Sequence, residues 1–320
     1  MDKSTLSGTI VSPYRRLFLS VLAAIGALCV ALQLWIYGAW ALDGIHRLPA
    51  TGPDTVPTRI KVALWTIQAL GLVLIVWLAA SLRRQWRRTR TLQPDGLLFV
   101  GALSTVWLEP IGSYFKTTFL CNSYTINVAS WGPYIPGWQN PAGSHKPEPL
   151  LYGGLAYAVG VVMNTRLICA IIQWLMRHHR IHPQSITLFA IFVGFVLVIC
   201  EEGVAIHNQI EAYPLTIRQL SLWGGSPFQI PLYASIWVGL LLGVISVLRL
   251  AMIEGRLSWE TDIVQLGIPE RCRAGLKILI IAGITNMIII AYYLAYAIGA
   301  LWADLSPQFP SYLHNNMLDS

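Results

Sequence analysis

Four glutamates carry the chemistry this sequence can do: Glu109, Glu201, Glu202 and Glu211. Each lies inside, or at the outer end of, an apolar run, where a carboxyl is costly unless it faces protein or water. Glu201 and Glu202 are adjacent and cannot both be comfortably ionised, so one remains available as a protonated acid. A neutral Glu that supplies a proton, a carboxylate that accepts one, and aromatic faces around a developing cation suit proton-triggered chemistry on an apolar molecule. His207, Asn208 and Tyr213 flank Glu202 and Glu211 in the chain, Trp138 closes the aromatic stretch that begins at Trp107, and all four are candidate substrate contacts. Motifs for other chemistry are missing. There is no GxSxG, HExxH, P-loop, GxGxxG or aspartate-rich diphosphate motif. His178 and His182 have metal-ligand spacing, but Pro183 follows and no acidic third ligand is near. The expected site uses no metal and no cofactor.

These glutamates must be positioned by membrane helices. The chain is 55% hydrophobic and only 12% charged, about half the charge of an average soluble domain. Apolar runs of spanning length cover residues 17–42, 60–82, 150–176, 185–207, 228–250 and 275–303. A seventh run, 97–115, is shorter and is interrupted by Glu109 and Pro110. Backbone groups in lipid must be satisfied internally, so these runs predict helices. The expected fold is an all-α, polytopic helical bundle forming a single transmembrane domain over 1–320. With an inside N-terminus and seven crossings, fifteen Lys and Arg flank the inner side against six on the outer side. That asymmetry favours seven helices with the N-terminus in and the C-terminus out, in a bacterial-type cell membrane. RRQWRRTR (residues 83–90) then reads as a topology anchor facing anionic lipid, so the net charge of +7 implies no nucleic-acid partner.

Along the chain, Gly26 and its alanine neighbours suit close helix contacts. Pro110 should kink the third helix around Thr105–Val106 and free carbonyls there. Thr105, Glu109, Gly112, Ser113 and Lys116 would share one helical face, with Lys116 a potential partner for Glu109. A structural partner is also expected for Arg166, in the form of a carboxylate or carbonyls from another helix. Glu201, Asn208 and Glu211 fall on one face of a continued fifth helix. The stretch 107–138 and the loop 213–231 are aromatic and almost uncharged, so both are expected to cap a pocket on the outer side. The tail, with Pro307 and Pro310, is expected to fold back over the bundle.

WLEPIGSYF, CNSYTINVASWGPYIPGW and EAYPLTIRQLSLWGGSPFQIPLY, with FPSYLHNN in the tail, resemble the AveC-type spirocyclase family over roughly residues 95–315. That resemblance implies a membrane protein that closes a dihydroxy-ketone polyketide to a spiroketal with loss of water, in some members with further dehydration. It also implies that Glu109, Asn122, Tyr124, Asn127 and Trp131 occupy the family's central motif. Relatives more often carry aspartate where this chain has Glu109, and an acidic, glycine-containing turn where it has IEGRLSWETD. The expected partners are a lipophilic small-molecule substrate and membrane lipid. Competing readings are a terpene cyclase that protonates an alkene or epoxide without a diphosphate, and a transporter or binding protein for small lipids.

Overall fold

The computed structural model describes residues 13–50, 52–179, 182–257, 262–264, 267–305 and 308–314. Lys3, Arg180, residues 258–261 and the last residues of the FPSYLHNN motif lie outside the described residues. Among the described residues six helices are long and apolar enough to cross a membrane: α1 (Pro13–Leu42), α2 (Thr58–Thr89), α4 (Gly154–His178), α5 (Pro183–His207), α6 (Leu232–Ile253) and α7 (Glu270–Gly299). Between α2 and α4 the expected seventh crossing is broken. Helix α3 (Pro94–Leu103) is followed by a 3-10 segment, Val106–Ser113, bent 45° from it. The broken pair climbs α7. Gly101 abuts Ile281 and Thr285, Trp107 donates from Nε1 to Asn286 at 3.2 Å, and Gly112 abuts Tyr293 and Tyr296. Its contacts thus run along α7 from Ile281 to Tyr296, and the chain is a helical bundle of membrane-protein type, with six spanning-length helices among the described residues, or seven if the bent pair is one span.

The break has a specific cause. In a 3-10 turn the Trp107 carbonyl would accept from the N–H of residue 110, but Pro110 has none. The Nε1 of Trp131 takes that place at 3.1 Å. The Leu103 carbonyl receives Gln33 Nε2 at 3.2 Å, and the Gly101 carbonyl receives Thr285 Oγ1 at 3.0 Å. Carbonyls loosened at the kink are thus satisfied by side chains from α1, α7 and the following loop, as buried backbone requires.

Close packing and one charge cluster hold the bundle. A Cβ on Gly26 of α1 would stand 1.9 Å from the Leu279 carbonyl oxygen of α7, and one on Gly283 would stand 2.1 Å from that of Leu22. Gly26→Val should therefore force α1 from α7 and cost about 1–3 kcal/mol. Thermal unfolding in detergent should show a lowered midpoint, and an unchanged midpoint would mean that the contact is dispensable. Asp95 at the start of α3 binds Arg166 of α4 at 3.1 Å and Arg249 of α6 at 2.7 Å. This carboxylate is the structural partner expected for Arg166.

Residues 43–50, 52–57, 114–153, 208–231, 303–305 and 308–314 gather on one face, here the loop face, and the described arginine-rich connections on the other. A cytoplasmic arginine-rich face is the expectation from the charge count alone. Four two-stranded ladders stitch the loop face: β1 (Leu120–Cys121) with β4 (Glu211–Ala212), β2 (Asn127–Ala129) with β3 (Pro147–Pro149), β5 (Leu215–Thr216) with β8 (Asp304–Leu305), and β6 (Ser221–Leu222) with β7 (Ile230–Pro231). The tail does fold back. Phe309, Tyr312 and Leu313 are buried with Ile60, Leu64 and Leu120, and the Tyr312 carbonyl accepts from Ser123 N and Oγ.

Candidate active site

Pro110 and the 3-10 segment decide where Glu109 points. With a period near three instead of 3.6, the expected face running to Lys116 is not formed, and Lys116 is exposed. The Glu109 carboxylate instead receives Lys146 Nζ at 2.7 Å on both oxygens, and its side chain keeps 24% exposure. The same ammonium lies 3.2 Å from both oxygens of Glu148. Lys146 and Glu148 are almost fully buried, at 4% and 3% side-chain exposure. Ser130 Oγ donates to Glu148 at 2.6 Å, completing the cluster.

The sequence reading passed over Lys146 and Glu148, although a signal was present in the run Lys146-Pro147-Glu148-Pro149. Prolines keep this stretch extended, and alternate residues of an extended strand share a face. Strand β3 therefore aims Lys146 and Glu148 together at Glu109. Two carboxyls share one ammonium here. Burial, and then the charge of Glu109, push the Glu148 carboxyl well above the usual range, only partly opposed by Lys146. Glu148 is therefore harder to ionise than an ordinary carboxyl. Burial works against the Lys146 charge, but Glu109 and Glu148 outweigh it and hold the ammonium charged.

The second group of acids is set by the end of α5. The helix stops at His207, so Glu211 does not continue the face of Glu201 and Asn208 and reaches the site on β4 instead. The stop is a Schellman closure. Ile210 N donates to Ala205 O and Gln209 N to Ile206 O, both at 2.9 Å, with Gln209 left-handed at φ 51°. Glutamine has no natural preference for that conformation. It is held by Asn122 Nδ2 on its carbonyl at 2.9 Å and by the Tyr312 hydroxyl on its side-chain oxygen. Beyond it, Glu211 accepts from the Tyr152 hydroxyl. Within α5, Glu202 accepts from Tyr213 at 2.8 Å and Ser235 at 3.0 Å, and Glu201 accepts from Asn164 at 3.3 Å.

Burial pushes the Glu211 carboxyl up to about 8. Tyr152 opposes the shift, while the charges of Glu202, Glu201 and Glu109 add to it. The folded chain therefore holds a proton that the unfolded chain, at about 4.5, releases. The sign follows directly: stability is greatest below about pH 4.5 and declines as pH rises toward 8, by about 1.4 kcal/mol per unit at most for this group. Thermal midpoints measured between pH 5 and 9 should fall with pH, and less steeply in Glu211→Gln. Parallel profiles for the two proteins would remove Glu211 as the titrating group.

Both groups line one cavity of about 710 Å³. Glu109, Glu148, Glu201, Glu202 and Glu211 border it, together with Tyr157, Tyr292, Tyr293 and Tyr296. The four glutamates expected from sequence are thus brought together, and Tyr213 joins them. The other expected contacts sit elsewhere. Asn122 ties down Gln209 and the Tyr124 amide. Tyr124 lies under Lys61, 5.3 Å from ring centroid to Nζ. Asn127 bonds Ser123 O, Thr125 O and Leu48 N. Trp131 serves the kink and packs on Tyr37 and Trp40. Trp138 donates to Asn140 O at 2.6 Å, His207 faces Phe228, and Asn208 bonds Val204 O at 2.8 Å. These residues build the cap, and the glutamates and tyrosines beneath it line the space.

An acid-lined cavity beside aromatic loops suits the acid–base chemistry read from the residues. The family described as spirocyclase AveC-like matches residues 86–315. The chain belongs to the AveC-like spirocyclase family. No curated protein and no solved structure matches it significantly. The family match spans the broken crossing, both capping loops and the helices that carry every glutamate of the cavity. It supports a cyclase role for this member and leaves α1 and most of α2 outside.

Proposed function

We propose that this protein closes a lipophilic dihydroxy-ketone to a spiroketal with loss of one water. The observation that carries the reading is the convergence of a proton-bearing Glu211 and an ion-paired Glu109 on one tyrosine-walled cavity. One substrate hydroxyl adds to the ketone to give a hemiketal. Glu211 donates its proton to the hemiketal hydroxyl, which leaves as water with the C–O bonding pair. The remaining oxocarbenium ion is balanced by the Glu109 carboxylate and by the faces of Tyr157, Tyr292 and Tyr293. The second hydroxyl attacks the cationic carbon and gives its proton to Glu109. Return of that proton to Glu211 restores the starting state. Lys146 and Glu148 keep Glu109 in place and set its charge.

The test is incubation of membranes containing the protein with a synthetic long-chain dihydroxy-ketone, followed by mass spectrometry. The expected product is one water lighter and is a single stereoisomer on a chiral column. Substrate recovered unchanged, although bound, would favour a carrier instead.

A further inference from the structure

The cavity has a mouth, and its position is informative. On the loop face the lining residues Cys121, Glu148, Pro149, Glu211 and Tyr213 are buried, and Phe119, Tyr152 and Gly153 are half-buried. The lining residues that are exposed are Leu70 of α2 and Cys200, Glu201 and Val204 of α5. Leu70 is 55% exposed and Val204 61%. All four lie inside membrane-crossing helices. Helix α4 packs against both α2 and α5 and forms the back of this opening.

On α4 the cavity wall follows one helical face through Tyr157, Gly160, Val161 and Asn164. A Cβ on Gly160 would meet nothing within 4 Å. This glycine is therefore not required by close helix packing, unlike Gly26. What its missing side chain leaves is open space, between Tyr157 inside and the Asn164–Glu201 pair at the mouth. That pair places a carboxyl and an amide at a lipid-facing edge, where polar groups are expensive without a purpose.

We propose that the opening between α2 and α5 is a lateral doorway from the bilayer, and that Gly160 keeps it wide enough for an alkyl chain. The ligand class is an amphiphile. Its hydroxylated end lies among the buried acids, its apolar chain passes Gly160, and its far end rests in lipid beside Leu70 and Val204. Glu201 and Asn164 meet hydroxyl groups as they pass the rim. The inference deepens the proposed function by naming the shape of its substrate, but lateral entry does not depend on turnover.

Photolabelling in proteoliposomes tests it. The probe is a long-chain dihydroxy-ketone carrying a diazirine at its apolar end, with a phospholipid carrying an acyl-chain diazirine as the comparison. The dihydroxy-ketone should label the peptides bearing Leu70 and Cys200–Val204 more strongly than the phospholipid does. In Gly160→Phe that excess should fall roughly tenfold, while Gly160→Ala should keep it. Phe and Ala both suit a helix better than Gly, so detergent melting should show both variants folded. Label on the capping loops 132–145 or 214–229 instead, or an excess unchanged in Gly160→Phe, would overturn the doorway. Label at the doorway with no cyclised product would retain the doorway and discard the cyclase reading. Glu109→Gln should keep its label for the same reason.

Discussion

Glu109→Gln should lower turnover of a synthetic dihydroxy-ketone by about 10²–10⁴-fold, the range for loss of a positioned acid–base group. The substitution keeps the shape of the side chain and one of its two oxygen contacts with Lys146, but removes the charge that faces the oxocarbenium ion. It should also leave the fold intact. Lys146 still has Glu148 at 3.2 Å as a carboxyl partner. The thermal midpoint should therefore shift little while product formation collapses. Membrane assays by mass spectrometry, paired with unfolding curves, measure both. Wild-type turnover in the variant would take Glu109 out of the mechanism and move the charge-balancing role to Glu202.

Lys146→Met should do the reverse and strike stability first. The ammonium is the cation between two buried carboxyls, bonded to both. Removing one partner of such a buried cluster costs about 3–5 kcal/mol, because the remaining charge is left without compensation. The loss should be greatest at high pH, where Glu109 and Glu148 are both driven to ionise. A second substitution, Glu148→Gln, should recover part of it, since one of the stranded carboxyls is then gone and the two effects are not additive. Unfolding of the single and double variants across pH measures the coupling. Equal losses in Lys146→Met and Lys146→Met/Glu148→Gln would show that the cluster does not act as a unit.

Much of this architecture was legible in the chain. Apolar run length determines helices in lipid because no other open structure satisfies its backbone there, and the six long helices follow from it. Pro110 announced the kink because its missing N–H cannot be supplied from within the helix. The cost of carboxyls at depth marked Glu109, Glu201 and Glu202, and the aromatic, uncharged loops marked the cap.

Partners were another matter. Lys116 is seven residues from Glu109 and stays exposed, whereas Lys146 is thirty-seven away and binds it. Only the pairing of β2 with β3 brings that lysine and Glu148 under the broken crossing. Glu211 likewise reaches the cavity because a Schellman closure ends α5, and Asn122 and Tyr312, distant in sequence, hold the turn. The motif residues Asn122, Asn127 and Trp131 proved to be builders of the cap, because each satisfies backbone groups that the kink and the turns leave open. Residue type and local spacing thus determined which groups are costly to bury in this protein. Which groups share a proton, and which only hold others in place, was decided by tertiary contacts between segments far apart in the chain.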